Sequence, residues 1–166
     1  MKQIPLTQGQ FALVDDEDYE FLTRFKWHFE GNSRNRYAYT NFKNSVSKPR
    51  QFRISMGVML LNTYKTGLQV DHIDGNGLNN QKENIRICNH IQNGWNRRKL
   101  QKCSSKYVGV SLDKKTLKWT ARVRINGIRT YLGCFNSEED AAIAVDKSII
   151  NERKNFAKLN ILKFTL

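Results

Sequence analysis

Short stretches in which apolar and polar residues cluster or alternate at strand length dominate the first part of the chain. Phe11-Ala12-Leu13-Val14 is a brief apolar run. Asp15-Asp16-Glu17-Asp18 then sets carboxylates where a helix N-terminus favours negative charge, ahead of Phe21, Leu22 and Phe25. Two aromatic runs, Lys26 to Phe29 and Arg36 to Thr40, read as strands separated by Asn, Ser and Gly turn residues, and their rings are expected in the core. After the polar loop around Ser47-Lys48-Pro49, Phe52 to Met56 alternates with period two, and Val58-Met59-Leu60-Leu61 predicts a buried helix. The pattern next predicts a strand from Leu68 to Ile73, a turn from Asp74 to Asn80, a strand from Asn84 to Cys88 and a helix over about His90 to Lys99.

From Ser104 the chain changes character. Tyr107 to Ser111, Lys118 to Ile125 and Ile128 to Gly133 read as three strands, and Asn126-Gly127 between the last two is a strong tight-hairpin signal. Ser137-Glu138-Glu139-Asp140 opens a helix with a start like a capping box. Ala141, Ala144, Val145, Ser148 and Ile149 then form a stripe that lets this helix lie close on a sheet. Counting by two along the second strand sends Trp119, Ala121, Val123 and Ile125 toward the helix. Lys118, Thr120, Arg122 and Arg124 take the other face, which Arg129 and Tyr131 should share.

Composition turns this into two small modules with a shared kind of partner. The 166 residues carry 28 Lys and Arg against 15 Asp and Glu, a formal charge of +13, which favours a polyanion and most simply a nucleic acid. Residues 1–96 hold 12 basic and 9 acidic side chains and residues 97–166 hold 16 and 6, so the second part is the expected grip on phosphates, with Arg97, Arg98 and Lys99 leading into it. Charge alone leaves DNA and RNA both open. The expected division is a first module over 1–99, a basic linker over 100–104 and a second module over 105–166. No apolar run reaches membrane-spanning length and the N-terminus lacks the apolar stretch of a secretion signal, so a cytoplasmic protein with no membrane partner is expected. Cys88, Cys103 and Cys134 form no C-x-x-C pair, so neither a disulfide framework nor a structural zinc is expected.

The candidate chemistry lies in Val70-Asp71-His72-Ile73-Asp74-Gly75-Asn76, which sets a carboxylate beside an imidazole, with Asn93 on the following helix. Carboxylate and amide oxygens suit a hard divalent cation, and a neutral imidazole can take a proton from water near neutral pH. Strand alternation sends Asp71 and His72 to opposite faces, so one can face a metal while the other addresses a water. Turn formation alone accounts for Asp74, Asn76, Asn79 and Asn80.

Asp71-His72-Ile73-Asp74-Gly75-Asn76, Asn79-Asn80, Glu83-Asn84-Ile85-Arg86, Gln92-Asn93 and Asn96 together resemble the HNH nucleases of the ββα-metal fold, over about residues 54–99. Within these, the pattern resembles in particular the phage and intron-encoded homing-endonuclease branch. It implies that Asp71 and Asn93 bind Mg2+, for which Mn2+ or another divalent cation can substitute. It also implies that His72 is the general base and that Asn84 orients the His72 ring through its other nitrogen. Met56-Gly57-Val58 stands where related proteins often carry His-Arg before the motif.

Tyr107-x-Gly109-Val110, Trp119-x-Ala121, Tyr131-Leu132-Gly133-x-Phe135, Glu138-Glu139-x-Ala141-Ala142, Asp146 and Phe156 to Asn160 are similar to the AP2 DNA-binding domain. That family contacts DNA through its three-stranded sheet, which implies roles for Arg122, Arg124, Arg129 and Tyr131, with Lys118 on the same face. Val108 and Ser111 stand where plant members usually carry arginines, so their target sequence does not transfer.

The expected fold class is therefore α+β: a strand-rich N-terminal part leading into a ββα-metal motif, then a small three-stranded antiparallel sheet packed on one helix. The expected function is a metal-dependent, site-specific endonuclease acting on double-stranded DNA in a bacterial or phage-infected cell, as a monomer or a homodimer. A non-catalytic sequence-specific DNA-binding regulator is the alternative.

Overall fold

A computed structural model describes residues 1–32, 35–43, 51–96 and 103–163. It is an α+β chain of several small antiparallel sheets, and it falls into two compact units, Met1–Gly94 and Trp95–Leu166.

In the first unit β1 (Lys2–Pro5) pairs antiparallel with β2 (Phe11–Val14), Lys2 opposite Val14 and Pro5 opposite Phe11. The polar pattern of residues 1–5 does not predict β1. Ile4 is its one buried position, and pairing with β2 is what makes the segment a strand. Asp16, Glu17 and Asp18 fill the first turn of α1 (Asp16–Leu22), at the positive end of the helix dipole. Leu22 is fully buried, and its carbonyl accepts from Trp27 Nε1 at 2.8 Å.

Because Trp27 is drawn into the core, the expected strand at residue 26 begins later, as β3 (His28–Gly31). It forms an antiparallel meander with β4 (Arg36–Lys43) and β5 (Gln51–Ser55). Met56, expected to end that last strand, instead opens α2 (Met56–Leu60) and is almost wholly buried against Ala12, Val14, Trp27 and Ala38 in the core.

β6 (Gln69–His72) and β7 (Ile85–Cys88) pair antiparallel, with Asp71 opposite Arg86 and His72 opposite Ile85, and α3 (His90–Trp95) follows. Arg97, Arg98 and Lys99, the expected end of that helix, lie outside the described residues.

The second unit has an antiparallel sheet in the order β8 (Val110–Asp113), β9 (Lys118–Ile125), β10 (Ile128–Phe135). Asn126 and Gly127 take φ of 48° and 79°, the left-handed pair a tight two-residue hairpin needs, and Ile125 pairs with Ile128 across them. The Ser137 hydroxyl accepts from the Asp140 N–H at 3.0 Å and caps α4 (Glu138–Arg153). Ala121 of the sheet and Ala141, Ala142 and Val145 of α4 are buried together, so the small side chains do let helix and sheet approach.

Asp146 has no exposed surface. Its carboxylate accepts from the N–H groups of Asn160 and Ile161, both at 2.8 Å, and of Leu162 at 3.0 Å, which fixes the following segment against α4. Asn160 in turn accepts from Val108 N–H at 2.8 Å and donates to Val108 C=O at 3.1 Å. Those backbone groups are therefore taken, and β8 starts at Val110 instead of Tyr107. Among the described residues no helix is long and apolar enough to cross a membrane.

Candidate functional site

The hairpin of β6 and β7 carries the acid–imidazole pair, and the turn between its strands is stapled to the rest of the first unit. Leu13 N–H donates to Leu78 C=O and Asn80 N–H donates to Leu13 C=O, both at 2.8 Å. Asp15 accepts from Lys82 N–H at 2.7 Å and from the Gln81 amide at 3.3 Å. On the other side the turn presses against β4. A Cβ on Gly77 would stand 2.2 Å from the Arg36 carbonyl oxygen and 2.5 Å from the Tyr37 ring, so only glycine allows that approach. The turn is thereby tied to β2 and packed against β4.

Asp71 is buried, and its Oδ2 accepts from Arg86 Nε at 2.9 Å and Nη2 at 2.7 Å. Register explains the pair, since the two residues are directly opposed across the hairpin. Gln69 lies two positions before Asp71 on β6 and so shares its face, and it accepts from the Asn93 amide nitrogen at 2.8 Å. Asn93 of α3 is thus anchored one pleat from Asp71. The bond uses its nitrogen, which leaves the amide oxygen as the atom suited to a cation. Among the described residues no cluster of three or more His, Cys, Asp or Glu side chains is placed to hold a metal. One carboxylate and one amide oxygen are a hard-donor set in keeping with Mg2+, with the Arg86 guanidinium competing for the carboxylate.

His72 takes the opposite face at the end of β6. Its ring lies 6.0 Å from that of Tyr37, inclined at 59°, and its Nε2 is 3.2 Å from Oδ1 of Asn80. Burial pushes the imidazole below the ordinary histidine range. The Asn80 hydrogen bond and the nearby Asp74 and Asp71 carboxylates act in the other direction and do not overcome it.

Asn84, expected to orient the imidazole, spends its side chain on the turn. Its amide donates to Asp74 Oδ1 at 3.0 Å and to Asn79 C=O at 2.7 Å, and its oxygen accepts from Asp74 N–H at 3.0 Å. The turn brings Asp74 and Asn79 within reach of the Asn84 side chain, and the Asn80 oxygen lies beside the ring. Asp74 is itself a hub of the turn. Burial raises its carboxyl, yet bonds from Asn76 N–H and from the Asn79 and Asn84 amides outweigh this and hold it below the usual carboxylate range.

In the second unit Lys118, Arg122 and Arg124 are exposed on β9 and Arg129 and Tyr131 on β10, whereas Ala121 and Val123 are buried toward α4. Thr120 departs from its expected exposure. It sits on the outer face yet is 5% exposed, with Cys134 opposite it in register and its hydroxyl 3.8 Å from the thiol. Arg129 lies directly opposite Arg124 and Tyr131 opposite Arg122, whose guanidinium stands 5.8 Å from the Tyr131 ring. Two guanidinium groups opposed across a strand pair repel each other, an arrangement that an anion lying over the face relieves.

Sequence reasoning placed Asn80 and Arg86 within the motif, Asn80 as a turn residue and Arg86 with no role, and did not single out Gln69 or Tyr37. Asn80 stands beside Asn79 in a Gly-rich turn, where local turn chemistry is explanation enough. The opposition of Arg86 to Asp71 becomes readable only once the hairpin register is known.

No protein-family profile matches the chain. It is 28% identical over 135 residues, 81% of its length, to a protein of Acanthamoeba polyphaga mimivirus described as an uncharacterized HNH endonuclease. It is 34% identical over 61 residues, 37% of its length, to Protein 3.8 of Escherichia phage T7. The chain spans 66% of the first protein and 50% of the second.

Proposed function

We propose that this chain is a metal-dependent DNA endonuclease of the HNH type, in which the first unit hydrolyses a phosphodiester and the sheet of the second unit grips the duplex. The observation that carries the reading is the hairpin of β6 and β7, where a buried carboxylate and a half-buried imidazole occupy consecutive residues and an asparagine of the next helix is anchored on the carboxylate's side. The distant likeness to a viral HNH endonuclease supports it.

In this reading His72 accepts a proton from a water aligned with the scissile phosphorus, and burial favours the neutral imidazole that task needs. The water oxygen bonds to phosphorus as the bond to the departing 3′ oxygen breaks. Asp71 and Asn93 would hold Mg2+. The ion would supply positive charge against the phosphate and the departing oxygen. With one carboxylate and one amide to hold it, such a cation would bind weakly in the absence of substrate oxygens. Lys118, Arg122, Arg124, Arg129 and Tyr131 are the proposed DNA-contacting residues of the sheet, a grip suited to a major groove.

A non-catalytic DNA-binding regulator is the second reading, and one observation favours it: Arg86 occupies Asp71 with two hydrogen bonds. Incubating supercoiled DNA with the protein, with and without Mg2+, separates the two. The endonuclease reading expects relaxed or linear DNA only when Mg2+ is added. DNA that is bound yet stays supercoiled over a full range of Mg2+ and Mn2+ concentrations would leave the regulator.

A further inference from the structure

The Asn80 side chain is placed more stringently than a turn requires. It is 1% exposed, among the largest fully buried side chains of the molecule. Its Nδ2 is buried with no hydrogen-bond partner among the described residues. Burying an amide so incompletely paired is costly, and a leucine would fill the same space without that cost. The turn's own bonding falls on its neighbours: Asn76 Oδ1 accepts from Leu78 N–H, the Asn79 amide donates to Asp74, and Asn84 ties Asp74 to Asn79. What the Asn80 side chain does hold is the His72 ring, through Oδ1 at 3.2 Å from Nε2.

That contact decides which ring nitrogen is basic. An amide oxygen can only accept, so Nε2 carries the hydrogen and the lone pair of the neutral imidazole lies on Nδ1. Were the amide turned over, its NH2 would occupy the Nε2 lone pair, and the hydrogen would sit on Nδ1, where no proton could be taken up. The Asn80 backbone is bonded to Leu13 of β2. A Cβ on Gly57 of α2 would lie 3.3 Å from Asn80 Oδ1 and 3.7 Å from His72 Cε1, so the helix closes directly over the pair.

We propose that Asn80 is the positioning residue of His72: its side-chain oxygen, fixed through the link to β2, locks the imidazole as the Nε2–H tautomer and makes Nδ1 the atom that receives the proton from water. The first half of this statement concerns the ring alone. The second rests on the endonuclease reading.

The experiment is a long-range nitrogen–proton correlation spectrum of the full chain labelled with 15N-histidine, with the His72 signals identified by their loss in His72→Ala. The neutral wild-type ring is expected as the Nε2–H tautomer. Asn80→Leu, which removes the acceptor at similar volume, is expected to give mixed tautomers. It should also lower the nicking kcat roughly tenfold to a hundredfold, the size found when a group orienting a working histidine is lost, with KM for DNA unchanged. Asn80→Asp restores an oxygen acceptor and should restore both the tautomer and most of the rate. A wild-type ring protonated on Nδ1, or Asn80→Leu with wild-type tautomer and rate, overturns the assignment. If Asn80→Leu does not fold, the wild-type and Asn80→Asp spectra decide. The spectra need neither DNA nor metal, so a protein that never cuts removes the endonuclease reading and leaves the tautomer result to judge Asn80 separately.

Discussion

Asp71 and His72 are neighbours in the chain, yet strand alternation gives them separate surroundings, and their chemistry follows from that. His72 faces α2, Tyr37 and Asn80, and burial there lowers its proton affinity. A general base must be unprotonated, so the cutting rate should rise with pH through a midpoint below the ordinary value of about 6.5. Single-turnover rates at saturating DNA and Mg2+ check this, and a midpoint above that value would contradict it. The same shift makes folding pH-dependent. The contribution of His72 is fully present above its unfolded pKa of about 6.5 and is lost as pH falls from there through the lower folded value.

Asp71 faces Arg86, and the side chains of this pair are 4% and 18% exposed. Arg86→Ala would remove the opposed charge from a buried carboxylate, at a cost of about 3 kcal/mol. Urea unfolding of the variant measures that loss, and an unchanged midpoint would show that water replaces the guanidinium. Asp71, His72 and Asn93 were named from the sequence through a resemblance, and the structure sets the first two side by side on β6 and the third on the following helix. Asn80 stood in the motif as a turn residue only, since its burial and its contact with the His72 ring depend on a turn tied by the backbone to Leu13, far upstream in the chain.

Among the elements, period-two counting read β9 well because one face meets α4 and the other does not, so burial follows the alternation. It missed Thr120, which is covered by a cross-strand neighbour on its own sheet face. It also missed β1, a polar segment made a strand by its pairing with β2, and the true start of β8, which is set by Asn160 far along the chain. The sheet's outer face sets Arg124 opposite Arg129, and this pair is where the proposed phosphate contact is most readily tested. Arg129→Thr relieves that repulsion and should stabilise the second unit by about 0.2–1 kcal/mol while weakening DNA binding. Thermal unfolding and a DNA titration on one preparation test both halves. Greater stability with unchanged affinity would mean that the arginines only solubilise the sheet.

For the molecule as a whole, the charge separates along the chain as the two compact units do, with most of the excess positive charge after residue 96. A basic sheet suits holding a duplex, and a nearly balanced unit with a buried acid and imidazole suits attacking one bond in it. The central claim is that these are separable tasks and that His72 belongs to the second. Its most direct test is His72→Ala, with nicking of supercoiled DNA in Mg2+ and affinity for the same DNA measured on one folded sample. Cutting should vanish while affinity stays within about twofold of wild type, because the general base contributes to the reaction and not to the grip. Equal loss of cutting and binding, or cutting that persists, would contradict the account.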